Sequence, residues 1–464
     1  MGRDLSLLLP ELILMITVTL MLIGEMVRFS RVVLAIGLIG LALATWQSYL
    51  LLGADTFVFG GTYRINYIAI WSKLILLPAT GLSLLLARGE LAGRFREGSV
   101  YSLMVLVSLG ALMLSGSGDV MLIVLGVVLT GLGSFALVAY PADDAATEAS
   151  MKFLVYGSVA GAVMIYGVTF WYAGAGSTLF SALVTIGDKP LLAAAGLLAL
   201  LVGLGYKAAL VPFRFSALDV YVGAPITVAA YMSVVTKLAA IFALAQVFTY
   251  LPIATGWQWA IAILAAISMT YGYLTALVQS NLVRLLAYSS IAQSGYFLLG
   301  LVAIGFSALA LDSLIIFGAA YAAMNIGAFA IILVGGRDMD KFTGLGRRSP
   351  MVGVAMVVFL LSLAGIPPLF GFFGKALLFG AAIEAGFLWL VIIAILNSVL
   401  SLAVYLRVIV AMYMSEKVTK HAHEVEAMPK HKSDMATTIV WVLTLAITLL
   451  SGLITQVFTG AAIF

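Results

Sequence analysis

Four lysines, Lys73, Lys207, Lys237 and Lys375, interrupt long apolar runs that hold almost no other central charge. A cation at the middle of a membrane helix costs about 2.5–3.5 kcal/mol on insertion scales, so it persists where it faces protein or water and usually where it has a job. Taking an amine out of water disfavours its charged form, and an amine so placed can take up and release a proton near neutrality. A row of such lysines has the makings of a proton relay. The carboxylates Glu11, Glu25, Asp119, Asp312 and Glu384 fall toward the ends of apolar runs, so no fixed counter-ion for the central amines is evident. Lys73 stands eight residues past the start of its run at residue 65, about 12 Å at 1.5 Å per residue. Its stem is therefore open to two readings, snorkelling to the interface or serving a polar site. Lys237 lies near the middle of its run and reaches neither surface, which favours function.

Lys207 and Lys375 lie beside helix breakers. Gly203, Gly205 and Pro212 bracket Lys207, while Gly365-Ile366-Pro367-Pro368, Gly371 and Gly374 precede Lys375. The run from Met351 to Ala382 has 32 residues, about 48 Å as one helix against a hydrocarbon core of about 30 Å. Missing proline amides and permissive glycine backbone put a break just before Lys375. Broken helices at membrane depth line protein or water, and two in corresponding places point to an internally repeated transporter. Tyr288, Ser289, Ser290, Gln293 and Ser294 place hydroxyls and an amide within two turns of one helix, fit for a water file or for gluing helices together. Gly157 and Gly161 form a small-xxx-small pair that reads as helix packing.

The elements that must position these residues are membrane helices. Of 464 residues, 63% are hydrophobic and 9% charged, where a soluble domain is about a quarter charged. A soluble globular protein is excluded. Apolar stretches give fourteen candidate spans: 5–27, 32–53, 65–87, 99–115, 119–140, 151–173, 190–213, 224–247, 253–279, 284–304, 308–334, 351–382, 386–412 and 437–460. The first reads as a retained helix rather than a signal peptide. Of the 24 basic residues, 17 fall in loops after odd-numbered spans, and only Arg3, Arg64 and Lys189 fall in the opposite set. Positive charge stays on the cytoplasmic side, so both termini are expected outside, with an even number of spans. The net charge of +4 thus reflects topology and not nucleic-acid binding. With no cysteine, the chain has no thiolate-held iron–sulfur or zinc site of its own. The three histidines, His421, His423 and His431, share one polar stretch, Ser415 to Ser433, with Glu424. That stretch reads as a solvated loop, and electron transfer is expected elsewhere. No phosphate loop or dinucleotide fingerprint is present.

Five strings carry a family resemblance: LLPELIL at Leu8, EASMKFLVYG at Glu148, GLGYKAALVPFRFSALDVYVGAP at Gly203, VRLLAYSSIAQSGY at Val283 and LAGIPPLFGFFGK at Leu363. Together they resemble the antiporter-like membrane subunits of respiratory complex I, most closely the subunit N branch, called 2 or B in mitochondria and chloroplasts. The resemblance implies an all-α polytopic fold of about fourteen helices with two inverted five-helix repeats, each containing a broken helix. In this reading residues 1–115 supply the N-terminal helices and include the start of the first repeat. Residues 99–247 and 253–412 form the two repeats, and 413–464 form a polar loop and last helix.

The same resemblance implies that Lys207 is the broken-helix lysine of the first repeat, Lys237 bridges the repeats, and Lys375 lies near the second exit. Lys73, Tyr288, Ser290, Gln293, Arg214 and Asp219 are candidate supporting residues, and Pro212, Pro367 and Pro368 mark the breaks. These lysines and intervening waters would form a polar axis, protonated and discharged as quinone is reduced in a neighbouring part of the complex. No cofactor is expected in this chain; quinone, flavin and iron–sulfur clusters would belong to partner membrane and peripheral subunits. Lipids would surround it, in a bacterial inner membrane or a thylakoid. The chain departs from the family pattern at Val128, where a fifth-helix glutamate normally pairs with the broken-helix lysine. Asp119, nine residues earlier, is about 13.5 Å away along a helix and is a poor substitute. Arg214 and Gln293 stand where histidines are usual. Two rival functions follow: a structural membrane spacer that no longer translocates, or a subunit of a cation/proton antiporter or membrane-bound hydrogenase.

Overall fold

Apolar runs become helices throughout the computed structural model of the chain, which describes residues 2–27, 30–215, 217–414 and 434–459. Among these residues thirteen helices are long and apolar enough to cross a membrane. They are α1 (Leu9–Met26), α2 (Ser30–Leu50), α3 (Tyr67–Leu91), α4 (Glu97–Ser115), α5 (Val120–Ala139), α6 (Asp144–Ala175), α7 (Pro190–Ala208), α8 (Ile226–Phe248), α9 (Trp257–Ala276), α10 (Leu282–Val302), α11 (Leu309–Gly335), α13 (Leu388–Tyr413) and α14 (Met435–Thr459). The remaining span, α12, is divided into α12a (Pro350–Ala364) and α12b (Phe370–Glu384). The stretch with His421, His423, Glu424 and His431 lies outside the described residues.

Polar residues at the ends of the runs explain where several helices begin. Asn66, Asp119, Asp143 and Asn281 each accept a hydrogen bond from a first-turn amide of α3, α5, α6 and α10, satisfying a donor that the helix leaves free. Pro190 and Pro350 occupy first helical positions, where no amide is needed. Between α2 and α3 a short antiparallel hairpin pairs β1 (Thr56–Val58) with β2 (Tyr63–Ile65), Thr56 facing Ile65.

Burial sorts the helices into layers. α8 is enclosed on every side and α10 and α11 nearly so, whereas α1, α2, α6 and α14 turn most of their surface outward. A helix apolar all round belongs in the core of a bundle, and outward apolar faces are what a bilayer covers. The chain is an integral, multi-pass membrane protein.

The two breaks use one backbone device. α7 stops at Ala208 with Ala209 left-handed at φ 56°, and α12a stops at Ala364 with Gly365 left-handed at φ 88°. The Leu210 amide reaches back to the Gly205 carbonyl at 2.8 Å, and the Ile366 amide to Leu361 at 3.1 Å. Both closures are Schellman turns, which satisfy carbonyls left over at a helix end. Pro212 follows the first, Pro367 and Pro368 the second, and the chain re-enters helix at Ala217–Gly223 and at Phe370.

Candidate functional site: buried lysines around a central helix

α10 lies between the two breaks and touches both. Ser294 Oγ donates to the Ala208 carbonyl at the end of α7 at 2.7 Å, and Gln293 Nε2 to the Leu363 carbonyl in the last turn of α12a at 3.0 Å. One turn earlier, Ser290 receives Lys237: the amine donates to the Ser290 carbonyl at 2.6 Å and to its hydroxyl. Lys237 projects from a wholly enclosed stretch of α8, just after a single π-helical turn over Met232–Thr236, a distortion frequent at functional sites. From Ser290 the polar contacts run on to the Tyr321 hydroxyl at 2.9 Å, then to the Ser233 carbonyl at 3.1 Å, with Asn325 bonded to the Ser233 hydroxyl. Ser289 bonds the Tyr405 hydroxyl at 2.6 Å. The hydroxyl cluster seen in the sequence therefore both glues helices and holds the central lysine.

Lys375 is buried at the second break. Its amine donates to the Ala364 carbonyl at 3.0 Å, makes a long contact with Ser398 Oγ at 3.5 Å, and lies 4.2 Å from the centre of the Tyr296 ring. Tyr296 and Ser398 are themselves joined at 2.8 Å. Lys207, at the first break, has no hydrogen-bond partner for its amine among the described residues; it faces the Phe135 and Phe153 rings at 6.0 and 5.7 Å. Each of these two lysines borders a crevice of about 250 Å³ at the side of the bundle.

Lys73 does not snorkel. It is fully buried and forms an ion pair with Glu11 at 2.6 Å, beneath which the Tyr63 hydroxyl donates to the same carboxylate oxygen at 2.5 Å. This corrects, for Lys73 alone, the expectation that end-of-span carboxylates leave the lysines without counter-ions: the β1–β2 hairpin brings Tyr63 against Lys73, and Glu11 meets them from the first turn of α1. The other supporting candidates stay apart from the α10 cluster. Arg214 stacks on Tyr271 at 4.1 Å, and half-buried Tyr288 packs on the same ring. Asp219 pairs with Lys152 at 3.2 Å, tying the short helix after the first break to α6.

Glu90 was not singled out by sequence. From the end of α3 it accepts the amides of Ile226 and Thr227 at 3.0 and 2.8 Å and also the Thr227 hydroxyl. α8 begins after Pro225 with no side-chain cap of its own, and an anionic group at a helix start is favourable. The missing cap is the signal that a carboxylate must come from elsewhere.

Lys207, Lys237 and Lys375 fall within residues 117–401, which match the pattern of the family described as "NADH:quinone oxidoreductase/Mrp antiporter, TM". The chain belongs to that family. As an NADH:quinone oxidoreductase/Mrp antiporter membrane subunit, it has curated relatives of nearly its own length. It is 38% identical over 449 residues to NADH-quinone oxidoreductase subunit N of Desulfovibrio desulfuricans, covering 89% of this chain and 88% of that one. A chain of respiratory complex I from Thermus thermophilus superposes with a TM-score of 0.82 at 31% identity, covering 96% of this chain and 98% of that one. A chain of an archaeal membrane-bound sulfane sulfur reductase shares the fold, with a TM-score of 0.86 at 22% identity over 98% of this chain and 95% of that one.

Proposed function

We propose that this chain is the proton-translocating, antiporter-like membrane subunit of a complex I type NADH:quinone oxidoreductase, or of an assembly that takes electrons from a related donor. Quinone reduction in partner subunits, which carry the flavin, iron–sulfur and quinone sites, drives protons along Lys207, Lys237 and Lys375. The observation that carries this reading is α10, whose residues 290, 293 and 294 contact Lys237 and the carbonyls beside Lys375 and Lys207. Hydroxyls both accept and donate, so Ser290 and Tyr321 can pass a proton leaving Lys237. Backbone carbonyls only accept, so Ser294 and Gln293 position the breaks, and water carries the proton past them. Residues 99–247 and 253–412 act as the two repeats, inverted because each contains five spans. The lysine and arginine asymmetry supports both termini outside, and the bacterial sources of the relatives favour a bacterial inner membrane.

The test is Lys207→Met, Lys237→Met and Lys375→Met, each in the assembled complex in sealed vesicles, with proton uptake and quinone reduction followed together. Lys237→Met and Lys375→Met are expected to lose most of the redox-linked proton uptake. Wild-type uptake in all three variants would end the relay reading. The unpartnered amine of Lys207 favours one rival, a membrane spacer that no longer translocates. That rival predicts normal assembly and quinone reduction with all three substitutions silent. Purification without any redox subunit would point instead to a cation/proton antiporter.

A further inference from the structure

The crevice beside Lys207 opens sideways between α5, α6 and α7. A Cβ at Gly131 would lie 3.6 Å from the Lys207 amine, and Gly131 is the twelfth of the 20 residues of α5, so the amine is near mid-membrane. Lys207 is 9% exposed, its amine lacks an acceptor among the described residues, and it is aimed into this crevice. The ring contacts at 5.7 and 6.0 Å stand at the outer limit for a cation–π interaction. The small residues of α6 point the same way. A Cβ at Gly157 would press on Phe135 within the chain, but one at Gly161 would meet nothing within 4 Å. Half of the Gly157/Gly161 pair therefore faces out, a close-approach surface for a helix that no described helix of this chain occupies.

An occupant must be apolar along the walls made by Val128, Leu132, Leu154 and Ile165 and negative at the depth of Lys207. A lipid tail meets the first condition and fails the second, because its headgroup charge stays about 15 Å away, half the core thickness. A membrane helix bearing an aspartate or glutamate meets both. We infer that a transmembrane helix of a neighbouring subunit docks in the α5–α6–α7 crevice and presents a carboxylate that pairs with Lys207. The inference concerns assembly and holds whether or not protons pass along the lysines.

The experiment replaces Val128, which lines the crevice and is 43% exposed, by a diazirine amino acid of leucine size and irradiates the intact complex. Leu132, 60% exposed on the same wall, serves if that variant does not assemble. The expected adduct is one membrane-spanning segment of one partner, with an acidic residue within a helical turn of the crosslink. Converting that residue to its amide should lose the partner from the purified complex, and Val128→Glu in this chain should restore it by supplying the charge in cis. Adducts with lipid alone, adducts with a helix lacking an acid, or undiminished assembly after the amide substitution would each overturn the proposal.

Discussion

At the second break the lysine amine rests on a carbonyl, near a hydroxyl and against a tyrosine ring; at the first, an amine beside the same backbone device faces two phenylalanine rings and has no hydrogen-bond partner among the described residues. The turns match in hydrogen-bond pattern, and the crevices match in volume. They differ in how completely this chain fills them. The left-handed position is Gly365 at one break and Ala209 at the other, and only glycine takes that conformation without cost. Behind the second break Gly371 packs on the main chain, a Cβ there falling 2.0 Å from the Ser362 carbonyl oxygen; behind the first, Gly205 packs on the movable ring of Phe213 at 2.7 Å. A common local motif can thus be finished inside one chain or left for a neighbour to finish.

The largest expected effect tests that contrast in packing. Gly371→Ala should cost about 3 kcal/mol or more because backbone cannot give way, and Gly205→Ala about 1 kcal/mol because a ring can. Equal shifts in thermal unfolding of the detergent-solubilised chain would break the comparison. Next, Lys207→Met in the chain alone should stabilise it by about 2–3 kcal/mol, removing an uncompensated cation. Lys375→Met should destabilise it by about 1–3 kcal/mol, since the Ala364 carbonyl loses its donor. Like signs in the same unfolding assay would show the two sites to be equivalent. Ala209→Gly should gain about 1 kcal/mol and Gly365→Ala should lose at least as much, read from paired melting curves. Smallest are Ser294→Ala and Gln293→Leu, each costing about 0.5–1.5 kcal/mol; a double variant that loses no more than either single one would show that the two bonds are not independent anchors.

Much of this was legible in the sequence, for identifiable reasons. Apolar runs of membrane length, capped by Asn66, Asp119, Asp143 and Asn281, set the helix order, and the 32-residue run with its Pro367-Pro368 pair announced the divided α12. Deep lysines were visible because charge is rare there. Their partners were not. Ser294 and Gln293 bond to main-chain carbonyls, which every residue carries, so no side-chain type marked Ala208 or Leu363. Glu11 stands far from Lys73 in sequence, and only the hairpin between α2 and α3 brings a ring against that ion pair. Asp219 and Arg214 share a motif with Lys207 yet face Lys152 and Tyr271, because the chain turns away directly after the break.

Gln293 and Ser294 are consecutive, so on a helix of 3.6 residues per turn their side chains leave the axis about 100° apart. Each grips a different break. α10 is therefore an axle with two cranks: a small roll about its length strains both grips together, and a pull on either broken helix is felt as torque at the other.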